Sequence, residues 1–178
     1  MKKIALLFMS VLAVSITVFA QAYESSIQYD KKKQVAIAID YTFPPEAVEN
    51  AFNQKMEKMG YKGKEEKGIL NKDKGFLVYK NAYVTDISPD RMDYIVKVER
   101  KSRKEKDETV LYLIMNKNGE NAMATMEAVS VGQAKVFLNN MIPDIEAANL
   151  ELQIKDQEEI VAKAEKKLNG LKDDQVSL

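Results

Sequence analysis

Met92-Asp93-Tyr94-Ile95-Val96-Lys97-Val98 is followed by Glu99-Arg100-Lys101-Ser102-Arg103-Lys104-Glu105-Lys106-Asp107-Glu108, and then by Val110-Leu111-Tyr112-Leu113-Ile114-Met115. In the first block Met92, Tyr94, Val96 and Val98 alternate with Asp93, Lys97 and Glu99, the period-two pattern of a strand with one face in a core. The last block is apolar on both parities, as in a central strand covered on both faces. Two strands flanking one charged linker form a long hairpin, so the sheet they belong to is antiparallel. Five cations stand in the linker: Arg100, Lys101, Arg103, Lys104 and Lys106. One reading makes this tip a foot for an anionic polymer or lipid head group. The plainer reading is a solvated hairpin end whose charge discourages edge pairing. Glu99, Glu105, Asp107 and Glu108 nearly cancel the cations and no aromatic side chain is interleaved, which favours the plainer one.

Towards the N-terminus, Ile27 and Tyr29 share a parity, and Val35, Ile37, Ile39 and Tyr41 alternate with Ala36, Ala38 and Asp40. Both segments read as strands, with the cluster from Asp30 to Lys33 as the turn between them. Pro44-Pro45-Glu46 starts a helix, because proline costs nothing where the first-turn N–H groups lack partners and Glu46 suits the positive end of the dipole. Val48, Phe52, Met56 and Met59 give that helix an apolar stripe, and Gly60 stops it. Residues 62–74 read as a loop with a short edge strand around Ile69 and Leu70. Gly75 to Tyr79 and Ala82 to Val84 read as one strand interrupted at Lys80-Asn81. Asn116 to Asn121 is a turn at which the sheet is expected to end.

Beyond that turn the periodicity becomes helical. Val131, Ala134, Leu138 and Met141 form a face that should dock on the sheet, with Gly132 allowing close approach. Pro143 should break or kink the run and Asp144 open a second helix. Along it Leu150, Ile154, Gln157, Val161, Ala164, Leu168 and Leu171 follow in steps of four and three, the seam of a coiled coil with Gln157 at a d position. The flanking positions are nearly all charged, so this arm is expected to project rather than fold back. Leu150, Ile154, Val161, Ala164, Leu168 and Leu171 are accordingly the candidate partner-binding residues.

The expected fold class is therefore α+β: an antiparallel sheet of about four to six strands, covered by one short helix and a long C-terminal helix, with a coiled-coil-like extension. Residues 1–22 read as a secretory signal peptide, with basic Lys2 and Lys3, an apolar run from Ile4 to Phe19, and Ala20-Gln21-Ala22 as a small-x-small cleavage site. Residues 23–142 are the expected globular domain and 143–178 the helical extension. The whole chain carries 27 basic and 27 acidic side chains. Removing Lys2 and Lys3 leaves 25 against 27, a net charge of −2, and no global field to attract nucleic acid.

Histidine and cysteine are both absent. That excludes the usual structural zinc sites, disulfides, thiol nucleophiles and histidine acid–base pairs, and with them most hydrolase and oxidoreductase designs. No cysteine follows the apolar run, so acylation of a processed N-terminus is closed as well. No catalytic residue, metal ligand or cofactor site is expected. The preferred expectation is a periplasmic or secreted, non-enzymatic envelope protein whose arm serves self-association or holds another envelope protein, with no transmembrane segment after signal cleavage. A second expectation comes from Phe43-Pro44-Pro45-Glu46-Ala47-Val48. Set between a strand and a helix, and followed by strands and a long final helix, this segment resembles the opening of helix-grip (START/Bet v 1-like) domains. The resemblance implies an apolar cavity between sheet and final helix, and hence a small-molecule or lipid carrier.

Overall fold

The computed structural model describes residues 21–65, 74–104 and 106–176, with side chains of the last helix described as far as Leu171. The signal-peptide reading of residues 1–20 and the edge-strand reading of Ile69 and Leu70 lie outside the described residues. The elements in chain order are β1 (Tyr23–Tyr29), β2 (Lys32–Tyr41), α1 (Pro45–Lys58), β3 (Lys64–Glu65), β4 (Phe76–Ala82), β5 (Met92–Arg100), β6 (Thr109–Lys117), β7 (Glu120–Asn121), a 3-10 turn (Ala122–Ala124), α2 (Ala128–Asn139) and α3 (Ile142–Val176). The fold is α+β. One antiparallel sheet runs β1-β2-β6-β5-β4-β3, with β7 attached to β6.

The long hairpin organises the sheet. Eight paired positions join β5 to β6, from Asp93↔Asn116 to Arg100↔Thr109, and β2 lies along the other side of β6 from Ile37↔Leu113 to Tyr41↔Thr109. Strand β6 is thus internal, which is why both of its faces are apolar. Two tight turns need left-handed backbone. Asp30 (φ 47°) and Lys31 (φ 61°) join β1 to β2, and Asn118 (φ 55°) and Gly119 (φ 83°) join β6 to β7, the paired positive φ values of a two-residue hairpin loop. Glu120 and Asn121, which the sequence pattern placed inside the turn that ends the sheet, therefore form a last short strand against β6. Asn81 (φ 50°) marks a register shift between Tyr79 and Ala82, so the interruption in β4 is a bulge within one strand.

Helix α1 ends as its glycine requires. Gly60 N donates to Glu57 O and Tyr61 N to Met56 O, at 2.8 and 2.9 Å, while Gly60 takes φ 88°. These are the two bonds of a Schellman motif, with Tyr61 and Met56 as its apolar pair.

One face of the sheet carries Ile37, Ile39, Leu111, Leu113, Met115, Tyr94, Val96 and Tyr79 against the helices. Covering them are Val48, Phe52 and Met56 of α1, Ala134, Phe137 and Leu138 of α2, and Ile145 and Ala148 of α3. Aromatic rings fill the middle of this interface: Phe52 lies 5.6 Å from Tyr79 and 6.2 Å from Phe137, centre to centre. Tyr41 Oη donates to Leu138 O at 2.6 Å, fastening the end of α2 to the sheet.

Among the described residues no helix packs on the opposite face, yet Ala36, Phe76, Val78, Ile95 and Ile114 are buried there, with Ile27, Tyr29 and Tyr112 packed against them. Tyr29 of β1 and Phe76 of β4 are 4.9 Å apart between ring centres. Four strand spacings separate β1 from β4 in the sheet order, a distance of roughly 19 Å on a flat sheet. The far end of the β1–β2 hairpin must therefore curl over the back of the sheet. It supplies the cover that helices supply in front.

Two expectations about the helical end are corrected. The break falls at Asn140 and Met141, and α3 already begins at Ile142, so Pro143 sits in the first turn, where its missing N–H removes no bond. A side chain added at Gly132 would meet nothing within 4 Å. That glycine faces open space and permits no close approach.

Candidate functional site

Helix α3 has two apolar faces that belong to different parts of its length. Ile145 and Ala148 are buried, Leu152 is half-buried, and this row lies on α1. Two polar contacts hold the same stretch: Lys55 Nζ to Asp144 Oδ2 at 2.8 Å, and Gln54 Nε2 donating to Glu151 Oε2 at 3.0 Å. Continued along the helix, that row becomes Lys155, Asp156, Glu159, Lys163 and Lys166. It turns to solvent, and Lys163 pairs with Glu159 on it at 3.7 Å.

The second face begins where the first ends. Leu150, Ile154, Val161, Leu168 and Leu171 are 51 to 58% exposed, and Ala164 is exposed on the same line. At 3.6 residues per turn, this stripe is centred about 150° around the helix from the row that grips α1. The candidate seam residues are thus brought together on one surface, directed away from the body, along about 32 Å of helix between Leu150 and Leu171. Ile160, 56% exposed, widens the stripe. It occupies a g position, off the a/d count. The change of face between Leu150 and Leu152 was present in the sequence as the point where the 145-148-152 row gives way to charge.

The heptad fixes what borders the stripe. Positions a hold Ile154, Val161 and Leu168, and positions d hold Leu150, Gln157, Ala164 and Leu171. One flank, the e row, is Glu151, Glu158 and Glu165; the other, the g row, is Gln153, Ile160 and Lys167. All three Glu side chains of the e row lie on exposed residues.

The cationic hairpin tip lies elsewhere, at the end of β5 and β6. Arg100, Arg103, Lys104 and Lys106 are exposed. Lys101 is drawn back onto the body, 3.2 Å from Asp40 Oδ2 and 3.8 Å from Glu108 Oε2, and its hydrogen bond to Asp40 raises its pKa further. Of the five cations, Lys101 is thus engaged with two carboxylates.

Of the strand tyrosines, Tyr79 and Tyr94 are core residues, Tyr112 is half-buried on the back of the sheet, and Tyr83 is exposed. Burial raises the pKa of Tyr79 and Tyr94 far above the ordinary tyrosine value, so both phenols stay neutral near pH 7. Among the described residues no group of three or more acidic side chains is placed to hold a metal ion, and no helix is long and apolar enough to cross a membrane.

Family models, curated proteins and solved structures offer no match to this chain, which leaves the stripe on α3 and its chemistry to carry the assignment.

Proposed function

We propose that the protein is an exported, non-enzymatic envelope component in which α3 is an arm that brings α+β heads together by helix pairing. One observation carries this reading. Six large apolar side chains line a helix beyond the body, on the side facing away from it, each more than half exposed. A helix paired with nothing gains nothing from such a stripe, whereas pairing buries it.

Magnitudes set the strength of the contact. Covering the exposed half of each side chain yields roughly 1 kcal/mol, or roughly 12 kcal/mol for two such stripes. Association costs on the order of 4–15 kcal/mol in lost freedom. Gain and cost are comparable, so pairing is concentration-dependent rather than permanent.

Two features of composition support the rest of the reading. The leader-like first 22 residues argue for export, and a chain without histidine or cysteine lacks the commonest acid–base and nucleophilic groups. Sedimentation of the chain from residue 23 onward tests the assembly claim. The expected result is a mass that rises with concentration, and a monomer for Val161→Glu with unchanged circular dichroism. A wild-type chain that stays monomeric at every accessible concentration overturns it. Fractionation of expressing cells, with the N-terminal mass of the recovered protein, tests export.

A further inference from the structure

We infer that the occupant of the stripe is a second copy of this chain, lying parallel and in register, with Gln157 as the layer that sets the register. The inference rests on the helix-pairing reading above and adds partner, direction and alignment to it. Three features of the stripe point the same way.

The first is the shape of the seam. Two of the three a positions, Ile154 and Val161, are β-branched with Leu168 at the third, and leucine holds two of the four d positions, Leu150 and Leu171, beside Gln157 and Ala164. That division of residue types favours two strands in parallel.

The second is the acidic flank. In an antiparallel pair of identical helices e faces e, so Glu151, Glu158 and Glu165 would confront the same row of the other copy. In a parallel pair each g residue meets the following e residue of its neighbour. Gln153 then meets Glu158 and Ile160 lies along Glu165, and the one carboxylate pair left is Glu146 with Glu151, at the end of the stripe nearest the body. Like charges placed opposite one another select against the antiparallel arrangement.

The third is the single polar residue of the seam. In parallel register Gln157 meets its own copy, and the two side-chain amides can donate to and accept from each other. Shifted by one heptad, or turned antiparallel, Gln157 would face apolar side chains such as Ala164, Ile154 or Val161 and lose its partner as it was desolvated. A buried polar layer of this kind fixes alignment at some cost in stability.

The body does not obstruct such a pair, because the row on α1 (Ile145, Ala148, Leu152) lies on the far side of α3 from the stripe. Since the chain has no cysteine, single introduced cysteines report geometry without background. In the chain from residue 23 onward, Ala164→Cys is expected to form an inter-chain disulfide readily on mild oxidation, as each d residue faces its own copy. A mixture of Leu150→Cys and Leu171→Cys chains is expected to give little of the mixed dimer. Efficient mixed dimer with poor Ala164→Cys coupling would overturn the parallel arrangement while leaving helix pairing intact. No cross-link of any kind, with a monomer by sedimentation, would remove both the second copy as occupant and the pairing reading beneath it. Gln157→Leu separates the register claim: dimers should persist, but the coupling between unlike positions one heptad apart, Ala164→Cys with Leu171→Cys, should rise several-fold over the same pair in chains that keep Gln157. If it stays unchanged in otherwise cross-linking chains, Gln157 does not set the alignment.

Discussion

Gly63 stands where only a glycine fits. A Cβ there would lie 2.9 Å from Cε1 and Cζ of Tyr79, and that ring is fully buried, tilted against Phe52 and donating its hydroxyl proton to Asn53. The ring has nowhere to move. Gly63→Ala should lower stability by about 1–3 kcal/mol, the usual penalty for overpacking, visible as a lower denaturant midpoint at unchanged slope. Glu49 makes the opposite case, a residue whose replacement should help. Burial raises its pKa above the ordinary 4.5, and Glu65 and Glu46 add to the rise while Lys97 opposes it. A carboxyl with a raised folded-state pKa costs the native state as it ionises. The penalty is absent at pH values where both folded and unfolded forms are protonated, and complete above the folded pKa. Glu49→Gln should therefore stabilise the protein at neutral pH by about 0.5 kcal/mol, a figure reduced for partial exposure, and the gain should vanish in acid below the ordinary value. Paired urea melts at the two pH values check it.

At the scale of elements, legibility followed burial pattern. The 92–98 and 110–115 segments could be placed because alternation and two-sided apolarity report directly on how many faces are covered, and β6 does lie between β2 and β5. The start and stop of α1 were readable from Pro44, Pro45 and Gly60 because proline and glycine act through the local backbone. Two-residue strands carry too few side chains to show a period, so β7 was missed. Gly132 was misread for a related reason: a glycine's purpose depends on what stands opposite, and opposite Gly132 there is only solvent. Gly132→Ala should accordingly raise the melting temperature, through a gain of about 0.5–1 kcal/mol from reduced backbone freedom in the unfolded chain. The apolar stripe on α3 was legible as spacing, apart from Ile160, which stands off the four-and-three count. What spacing could not show was that its first turns grip α1 through a different row, because that depends on the lie of α1.

For the molecule as a whole, the N-terminus of the described chain is part of the core. Ala22 is buried, and its N–H donates to Asn139 Oδ1 at 2.9 Å, joining the entry to β1 with the end of α2. A nearby ion pair, Lys135 with Glu24 at 2.8 Å, closes the same seam. A chain starting at Tyr23 loses the first contact and one starting at Gln21 keeps it. The shorter chain should be less stable by about 1–2 kcal/mol, the combined worth of a small buried side chain and one hydrogen bond. Thermal denaturation of the two purified forms decides it. The back of the sheet could not have been foreseen in the same way. Ile27 and Tyr29 read as one face of an ordinary strand, and nothing in their spacing announces that the hairpin bends over to reach Phe76.

The pairing of β2 with β6 also orders events in time. Tyr41 waits for Thr109, roughly seventy residues later, and at ordinary synthesis rates that interval lasts about 4–14 s. Through it the strand destined for the interior has β1 as its sole ladder neighbour, with Ile37 and Ile39 bare. The half-made chain is thus most prone to stick to its neighbours before its own middle exists, and the two-residue turn at Asp30 and Lys31, by closing early, halves the open edge it must carry.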